Sequence, residues 1–225
     1  MKINYCLPII KTRKIDVLRM ITQHTNEYQY FEIWLDTIEG IDNIFVKELV
    51  NLLQDKLILL FHRGKLKKPG INNEKKLQII DLLHNTKAYL DLDISEEKEL
   101  AYIQKKKIQV KKIVSYHNYQ ETPANLVEII KQIDKLNPNI YKIATMCTNE
   151  IDALKLLLLQ QNLRLQNKQH IILGMGKFGT ITRVYGTLWG NKIIYAPIET
   201  KDSSAPGQLT KQELEKILPI LITKK

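Results

Sequence analysis

Apolar and polar residues follow two different periods along the chain. Eight short segments, rich in β-branched and other apolar residues, have the two-residue period of β-strands; they lie near 3–10, 30–36, 57–63, 88–94, 109–117, 139–145, 169–173 and 192–197. The segments between them have the period of amphipathic helices; they lie near 15–25, 43–53, 72–83, 96–105, 123–135, 150–165, 180–185 and 211–218. Strands and helices therefore alternate along the whole sequence.

Two helix starts carry local signals. Thr122-Pro123 places a capping residue before a proline, which predicts that a helix begins at Pro123. Thr210 and Glu213 have the spacing of a capping box, in which each side chain bonds the backbone amide of the other residue.

Eight strands that alternate with eight helices in 225 residues predict a (β/α)8 TIM barrel. No Pro/Gly/Ser-rich linker divides the sequence, so residues 1–225 are expected to form a single catalytic domain. A doubly wound open sheet uses the same units and is the alternative.

Polar residues on the strands distinguish these two folds. Glu32, Asp91, His117 and Lys142 each lie on the strand face opposite the apolar, helix-facing set. An open sheet covered on both sides would bury them in apolar packing, whereas a barrel collects them in one pocket at the carboxyl ends of the strands. This pattern favours the barrel.

Composition narrows the classes of function. The formal net charge is +10, but the basic residues are spread along the chain, and the lysine runs at 67–68 and 105–107 fall in predicted loops or helix ends. This distribution indicates solvated surface rather than a nucleic-acid interface. Two cysteines are too few for a disulfide framework, and no apolar segment approaches about 18 residues. We expect a cytoplasmic protein without a membrane segment.

Lys142 is the first candidate for chemistry, because it lies mid-strand among apolar residues and threonine. A buried ammonium is costly unless it is paired or loses its proton. Lysine forms Schiff bases when burial or nearby positive charge frees its amine, and Arg63, Arg183 and His117 are candidates to supply that charge. A structural ion pair is the alternative.

His117 ends the fifth predicted strand, next to the strand of Lys142. Histidine titrates near neutral pH, so His117 is the candidate general acid and base. Asp91, on the fourth strand, is expected to hold the ring in the required tautomer. The alternative interpretation is that His117 is a structural residue.

Two late segments are expected to bind the ligand. Residues 174–179 match G-x-G-x-x-G, but they form the seventh βα turn and not the opening unit of a dinucleotide fold, so we favour an anion site, with Arg183 gripping a carboxylate. Residues 201–208 form a loop suited to a lid, in which Ser204 and Gln208 are expected to hydrogen-bond a polyol substrate.

Together these blocks resemble type I 3-dehydroquinate dehydratase, in the order of that family and from the first strand to the last helix. The blocks that carry the likeness are Ser115-Tyr116-His117-Asn118, Tyr141-Lys142-Ile143-Ala144-Thr145, Gly174-Met175-Gly176 with Arg183, and Ser204-Ala205-Pro206-Gly207-Gln208. The lysine block and the Ser-Ala-Pro-Gly-Gln block are specific, and the glycine turn alone is not.

The resemblance implies a homodimeric enzyme of the shikimate pathway of aromatic amino acid biosynthesis. It implies conversion of 3-dehydroquinate to 3-dehydroshikimate and water, without metal or cofactor. By it, Lys142 forms an iminium with the substrate ketone, His117 moves the protons and Asp91 orients His117. Glu32 and Arg63 would bind ring hydroxyls, Arg183 the carboxylate, and Ser204 and Gln208 would close over the top.

Two positions depart from the family. The second strand usually reads Glu-x-Arg-x-Asp, but residue 34 is Trp34; and Lys67-Lys68-Pro69 follows the third strand in place of an acid and two glycines. A related Schiff-base lyase or aldolase acting on another hydroxy-ketone therefore stays open as an alternative. A non-catalytic basic protein that binds nucleic acid ranks last.

Overall fold

The computed structural model describes residues 3–61 and 70–222. Its strands are β1 (Tyr5–Ile9), β2 (Tyr30–Trp34), β3 (Leu57–Leu60), β4 (Tyr89–Asp93), β5 (Lys111–Asn118), β6 (Ile140–Met146), β7 (His170–Met175) and β8 (Ile194–Tyr195). Its α-helices are α1 (Lys14–His24), α2 (Asn43–Leu53), α3 (Asn73–Leu82), α4 (Glu97–Lys106), α5 (Leu126–Asp134), α6 (Glu150–Leu165), α7 (Gly176–Leu188) and α8 (Lys211–Ile222). Every predicted strand and helix is present.

The strands are parallel and follow the chain in the order β7-β6-β5-β4-β3-β2-β1-β8. β1 pairs with both β2 and β8, so the sheet curves round on itself. Between β7 and β8, Lys192 N donates to His170 O at 2.8 Å, and the side chain of Asn191 accepts from Ile172 N at 2.8 Å and donates to Ile172 O at 3.0 Å. The predicted single-domain (β/α)8 TIM barrel is confirmed, and the open sheet is excluded.

The strand faces divide as the alternation predicts. Phe31 and Ile33 pack in the core between strands and helices. The opposite faces of the strands fill the inside of the barrel with an apolar layer, formed by Cys6, Ile58, Ile113, Ile140, Ile171, Leu173, Ile193 and Tyr195. The polar strand residues face this same interior. In the described part of the chain, no helix is long and apolar enough to cross a bilayer.

Two helix starts differ from the sequence expectation. α5 begins at Leu126 and not at Pro123. Thr122 does not cap it, since its hydroxyl bonds Thr145 Oγ1 at 2.8 Å and Met146 O at 2.9 Å, which ties the loop to β6. α7 begins at Gly176, directly after β7, and is longer than the predicted helix.

The capping box of α8 is confirmed. Thr210 N donates to Glu213 Oε2 at 2.8 Å, and Glu213 N donates to Thr210 Oγ1 at 3.2 Å. These two bonds satisfy amides that the first turn of the helix leaves without partners, so α8 starts at a fixed point after the loop that precedes it.

Candidate active site

Lys142 lies inside the barrel, in the middle of β6, with 5% of its surface exposed. Its Nζ donates to Asp91 Oδ2 at 2.6 Å, to Tyr195 Oη at 3.0 Å and to Glu32 Oε2 at 3.3 Å. These acceptors come from β4, β8 and β2, so the barrel surrounds the amine. Three acceptors match the three N–H bonds of an ammonium.

Asp91 lies beneath this amine and is fully buried. Besides Lys142, it accepts a hydrogen bond from Ser115 Oγ at 2.6 Å. Asp91 was expected to hold the ring of His117, and this assignment is corrected by the structure, which places a different carboxylate at that ring.

Asp93 is the carboxylate beside His117. Its Oδ2 lies 2.9 Å from His117 Nδ1 and also accepts from the backbone N of His117 at 3.1 Å. In the parallel register Asp93 is level with Ser115 and Asp91 with Ile113, so Asp93 lies one layer nearer the barrel mouth, where β5 ends. The ring of Tyr119 stacks on His117, with a centroid distance of 6.2 Å. Both neighbours fix the plane of the imidazole.

Arg183 projects from α7 and is 1% exposed. Its Nη2 donates to Pro206 O at 3.4 Å, while Nε and Nη1 have no hydrogen-bond partner within the described residues. Burial lowers the pKa of this guanidinium to about 10. A buried cation with unused donors is typical of a site that binds an anion.

The loop that carries Ser204 and Gln208 is closed by its own hydrogen bonds. Ser204 N donates to Gln208 Oε1 at 2.7 Å, and Gln208 Nε2 donates to Ser204 Oγ at 3.1 Å. Gly176 N donates to Pro206 O at 3.1 Å, which joins the loop to the glycine turn. The amide of Gly176 thus holds this loop, in contrast to the expectation that the turn offers its amides to an anion.

A cavity opens between these elements. Its lining residues are Glu32, Trp34, Leu60, His117, Tyr119, Lys142, Ala144, Leu173, Met175, Arg183, Tyr195, Ser204, Ala205 and Gln208. The structure therefore brings six of the eight expected site residues to one cavity. Asp91 lies below it, and Arg63, like Lys67, falls outside the described residues.

Two residues of the site were missed from sequence. Asp93 shares a strand face with Asp91, and this alternation was the available signal for it. Tyr195 lies in β8 and belongs to the apolar interior layer, so its inward position in the strand alternation was the signal available for it. Trp34, noted as a departure, donates from Nε1 to Glu32 Oε1 at 3.2 Å.

Known proteins of one family are similar to this chain. The family model for type I 3-dehydroquinase matches residues 5–225. The 3-dehydroquinate dehydratase of Methanococcus maripaludis is 27% identical, over 96% of this chain and 99% of that protein. That of Streptococcus pneumoniae is 34% identical over 48% of each chain.

Solved structures share the fold. The 3-dehydroquinate dehydratase of Geobacillus kaustophilus superposes with a TM-score of 0.83 and 22% identity, over all of this chain and 93% of that one. The type I enzyme of Clostridium difficile gives a TM-score of 0.79 and 23% identity, over 98% and 92% of the two chains. Because the family model matches residues 5–225, the chain belongs to the type I 3-dehydroquinase family.

Proposed function

We propose that this chain is a 3-dehydroquinate dehydratase that works through a Schiff base on Lys142. The observation that carries the proposal is the pairing of two buried cations at one cavity. Lys142 stands at its floor inside the barrel, and Arg183 lines the same cavity with donors unused within the described residues. An amine that attacks a ketone and a guanidinium that binds a carboxylate are what a keto acid requires.

The reaction begins at Lys142. The ammonium gives up a proton, for which Asp91 at 2.6 Å is the nearest carboxylate. The neutral amine attacks the ketone carbon, and loss of the carbonyl oxygen as water leaves an iminium. The iminium withdraws electrons from the adjacent carbon, so it makes the α proton acidic without any cofactor.

His117 then moves the protons. One ring nitrogen, Nδ1, faces Asp93, so we assign the transfers to the opposite nitrogen, Nε2. His117 removes the α proton to form an enamine, and it returns a proton to the β-hydroxyl as that group leaves as water. Hydrolysis of the remaining iminium consumes one water and restores Lys142, so the net reaction releases one water.

The rest of the cavity is proposed to hold the substrate. Arg183 binds the carboxylate, and Ser204 and Gln208 close over the ligand from the lid. Glu32 binds a ring hydroxyl, although it already accepts from Trp34 and Lys142, with which the hydroxyl must compete. Arg63 keeps its proposed role as a hydroxyl ligand.

Reductive trapping tests the mechanism. Incubation with 3-dehydroquinate and borohydride is expected to add the reduced ligand to Lys142, as located by peptide mass spectrometry. Lys142→Ala should abolish the adduct. Lys112→Ala is the matched control, because Lys112 is a half-buried lysine of the neighbouring strand that does not line the cavity. No adduct, together with no enone absorbance, would overturn the proposal.

We also propose that the enzyme acts in the shikimate pathway, in the cytoplasm and as a homodimer. The two cysteines, Cys6 and Cys147, are buried free thiols, as is usual in a reducing compartment. A stripe of exposed apolar residues on α6, formed by Ile151, Leu154, Leu158 and Leu165, supports self-association.

A further inference from the structure

Tyr195 touches the reactive amine but has no place in the mechanism so far. It lies in β8, is 3% exposed and lines the cavity. Its hydroxyl oxygen accepts from Lys142 Nζ at 3.0 Å, and the same Nζ lies 4.5 Å from the centre of its ring. A phenol in this position can act on the amine both through its oxygen and through its ring.

The hydrogen of this hydroxyl is directed away from Lys142. Burial, and after it the charge of Glu32, raises the pKa of the phenol well above its ordinary value, so the group stays protonated at neutral pH. Because the ammonium of Lys142 can only donate, the oxygen of Tyr195 presents a lone pair to it, and the hydroxyl hydrogen points elsewhere.

The number of donors on Lys142 changes during the reaction. The ammonium has three N–H bonds, whereas the neutral amine has two N–H bonds and one lone pair. Attack on a ketone requires that lone pair to point at the carbonyl carbon. A partner that donated a hydrogen to the amine would occupy the lone pair, while a partner that only accepts leaves it available.

We propose that Tyr195 is a positioning residue for Schiff-base formation: once Asp91 has taken a proton, the oxygen of Tyr195 holds one remaining N–H of Lys142 while the amine turns its lone pair from Asp91 into the cavity. The inference rests on the proposed function, since it concerns the first step of that reaction. The ring contributes separately, through a cation–π contact with the charged lysine.

Tyr195→Phe tests the role of the hydroxyl, because it keeps the ring and removes only the oxygen. The background is His117→Ala, in which elimination is slow and the iminium accumulates, so adduct formation is seen alone. Rapid mixing with 3-dehydroquinate, followed by a borohydride quench at set times, gives the rate of adduct formation. We expect this rate to fall roughly tenfold in His117→Ala/Tyr195→Phe, about the effect of one hydrogen bond.

Matched measurements separate positioning from a loss of folding. Tyr89→Phe removes the hydroxyl of another barrel tyrosine that does not line the cavity, and it should leave the rate unchanged. A purely structural effect of Tyr195→Phe would lower the trapped fraction and the melting temperature but leave the rate constant unchanged. That result would overturn the inference. So would an equal rate of adduct formation in His117→Ala and in His117→Ala/Tyr195→Phe. Absence of any adduct in His117→Ala would overturn the proposed function, and this inference with it.

Discussion

At the residue scale, two carboxylates on β4 bond different partners because they lie at different depths in the barrel. Asp91 is fully buried and bonds Lys142 and Ser115. Asp93 lies one layer higher and bonds His117. Both residues follow the same inward alternation, so sequence alone suggests either as the partner of His117. The strand register decides between them, because it sets which residue is level with the end of β5.

Neutralising each carboxylate should therefore affect a different step. Asp93→Asn is expected to slow elimination, by roughly 10–100-fold, because the ring of His117 loses its charged partner, while the trapped adduct on Lys142 still forms. Asp91→Asn should instead slow formation of the adduct, since it removes the nearest acceptor for the lysine proton. Rapid-quench trapping and the appearance of enone absorbance measure the two steps separately.

Ser95 offers a control for this pair. Its hydroxyl also bonds Asp93, through Oδ1 at 2.7 Å, on the carboxylate oxygen opposite His117. Ser95→Ala should leave both rates within about threefold of the parent, since the bond to His117 remains. If Asp91→Asn slowed elimination and left adduct formation intact, Asp91 would act on His117 after all.

Arg183 shows the conflict between stability and binding at one residue. Burial depresses the pKa of its guanidinium to about 10, so at neutral pH the folded protein holds a charge that is better solvated in the unfolded chain. This cost is present at every pH below that value and is relieved as the pH rises above it. Charge-assisted hydrogen bonds to a carboxylate ligand would offset this desolvation cost on binding.

Arg183→Met is expected to stabilise the free protein while it weakens binding. The substitution keeps a long side chain but removes the buried charge, so the melting temperature should rise by roughly 2–5 °C. The KM for 3-dehydroquinate should rise about 100-fold or more, because a charged carboxylate contact is lost. Thermal melts with and without substrate, alongside steady-state kinetics, check both effects.

Arg164→Met provides the comparison, since Arg164 is an exposed arginine near the end of α6. It should change neither melting temperature nor KM appreciably. Unchanged substrate affinity in Arg183→Met would remove this residue from its proposed role as the carboxylate ligand.

At the element scale, strands were better predicted than helix starts. Strand alternation is a local property, since every second side chain faces the core, and all eight strands follow it. The start of α5 depended instead on a distant partner: Thr122 bonds β6 rather than the amides after Pro123. The Thr210–Glu213 box was predictable because both of its members lie within one turn.

The lid loop depends on contacts of the same long-range kind. Gly207 has φ +74°, and a Cβ there would lie 2.5 Å from the carbonyl oxygen of Gly176. The loop thus approaches the first residue of α7 more closely than any other residue type allows, and this approach places Pro206 against Arg183.

Gly207→Ala is expected to displace the lid and raise KM by about tenfold or more, with a smaller effect on the trapped adduct. It should also lower stability by about 1 kcal/mol, from the positive φ alone. Gly40→Ala is the matched variant, because Gly40 has φ +59° but nothing within 4 Å of the added Cβ. It should show the stability loss with an unchanged KM, and a rise in KM there would contradict the role given to the lid.

At the scale of the whole molecule, the location of the site followed from topology. Parallel strands end at one rim, so polar residues on their inner faces converge wherever the barrel closes. The sequence therefore indicated the cavity and most of its lining. It did not indicate Tyr195, because the contact between β8 and Lys142 on β6 exists only once the barrel is closed. The bonds between the Asn191 side chain and β7 were likewise not indicated by the sequence, because they form only in the folded barrel.

An exposed apolar stripe on α6 bears on the proposed homodimer. Ile151, Leu154, Leu158 and Leu165 are each more than half exposed, and their spacing places them on one face of the helix. The stripe extends over about 21 Å at the rise of an α-helix. Two copies related by a two-fold axis bury such a stripe against itself, since each presents the same apolar row to the other.

Leu158→Glu tests this surface, because it places a charge in the middle of the stripe and, across a two-fold axis, near its own copy. We expect a dimeric parent, a shift to monomer in the variant by light scattering, and little change in the fold by circular dichroism. Ile44→Glu, at an exposed apolar residue of α2, is the control and should stay dimeric. A dimer that survives Leu158→Glu would place the interface elsewhere, and a monomeric parent would remove the proposed homodimer.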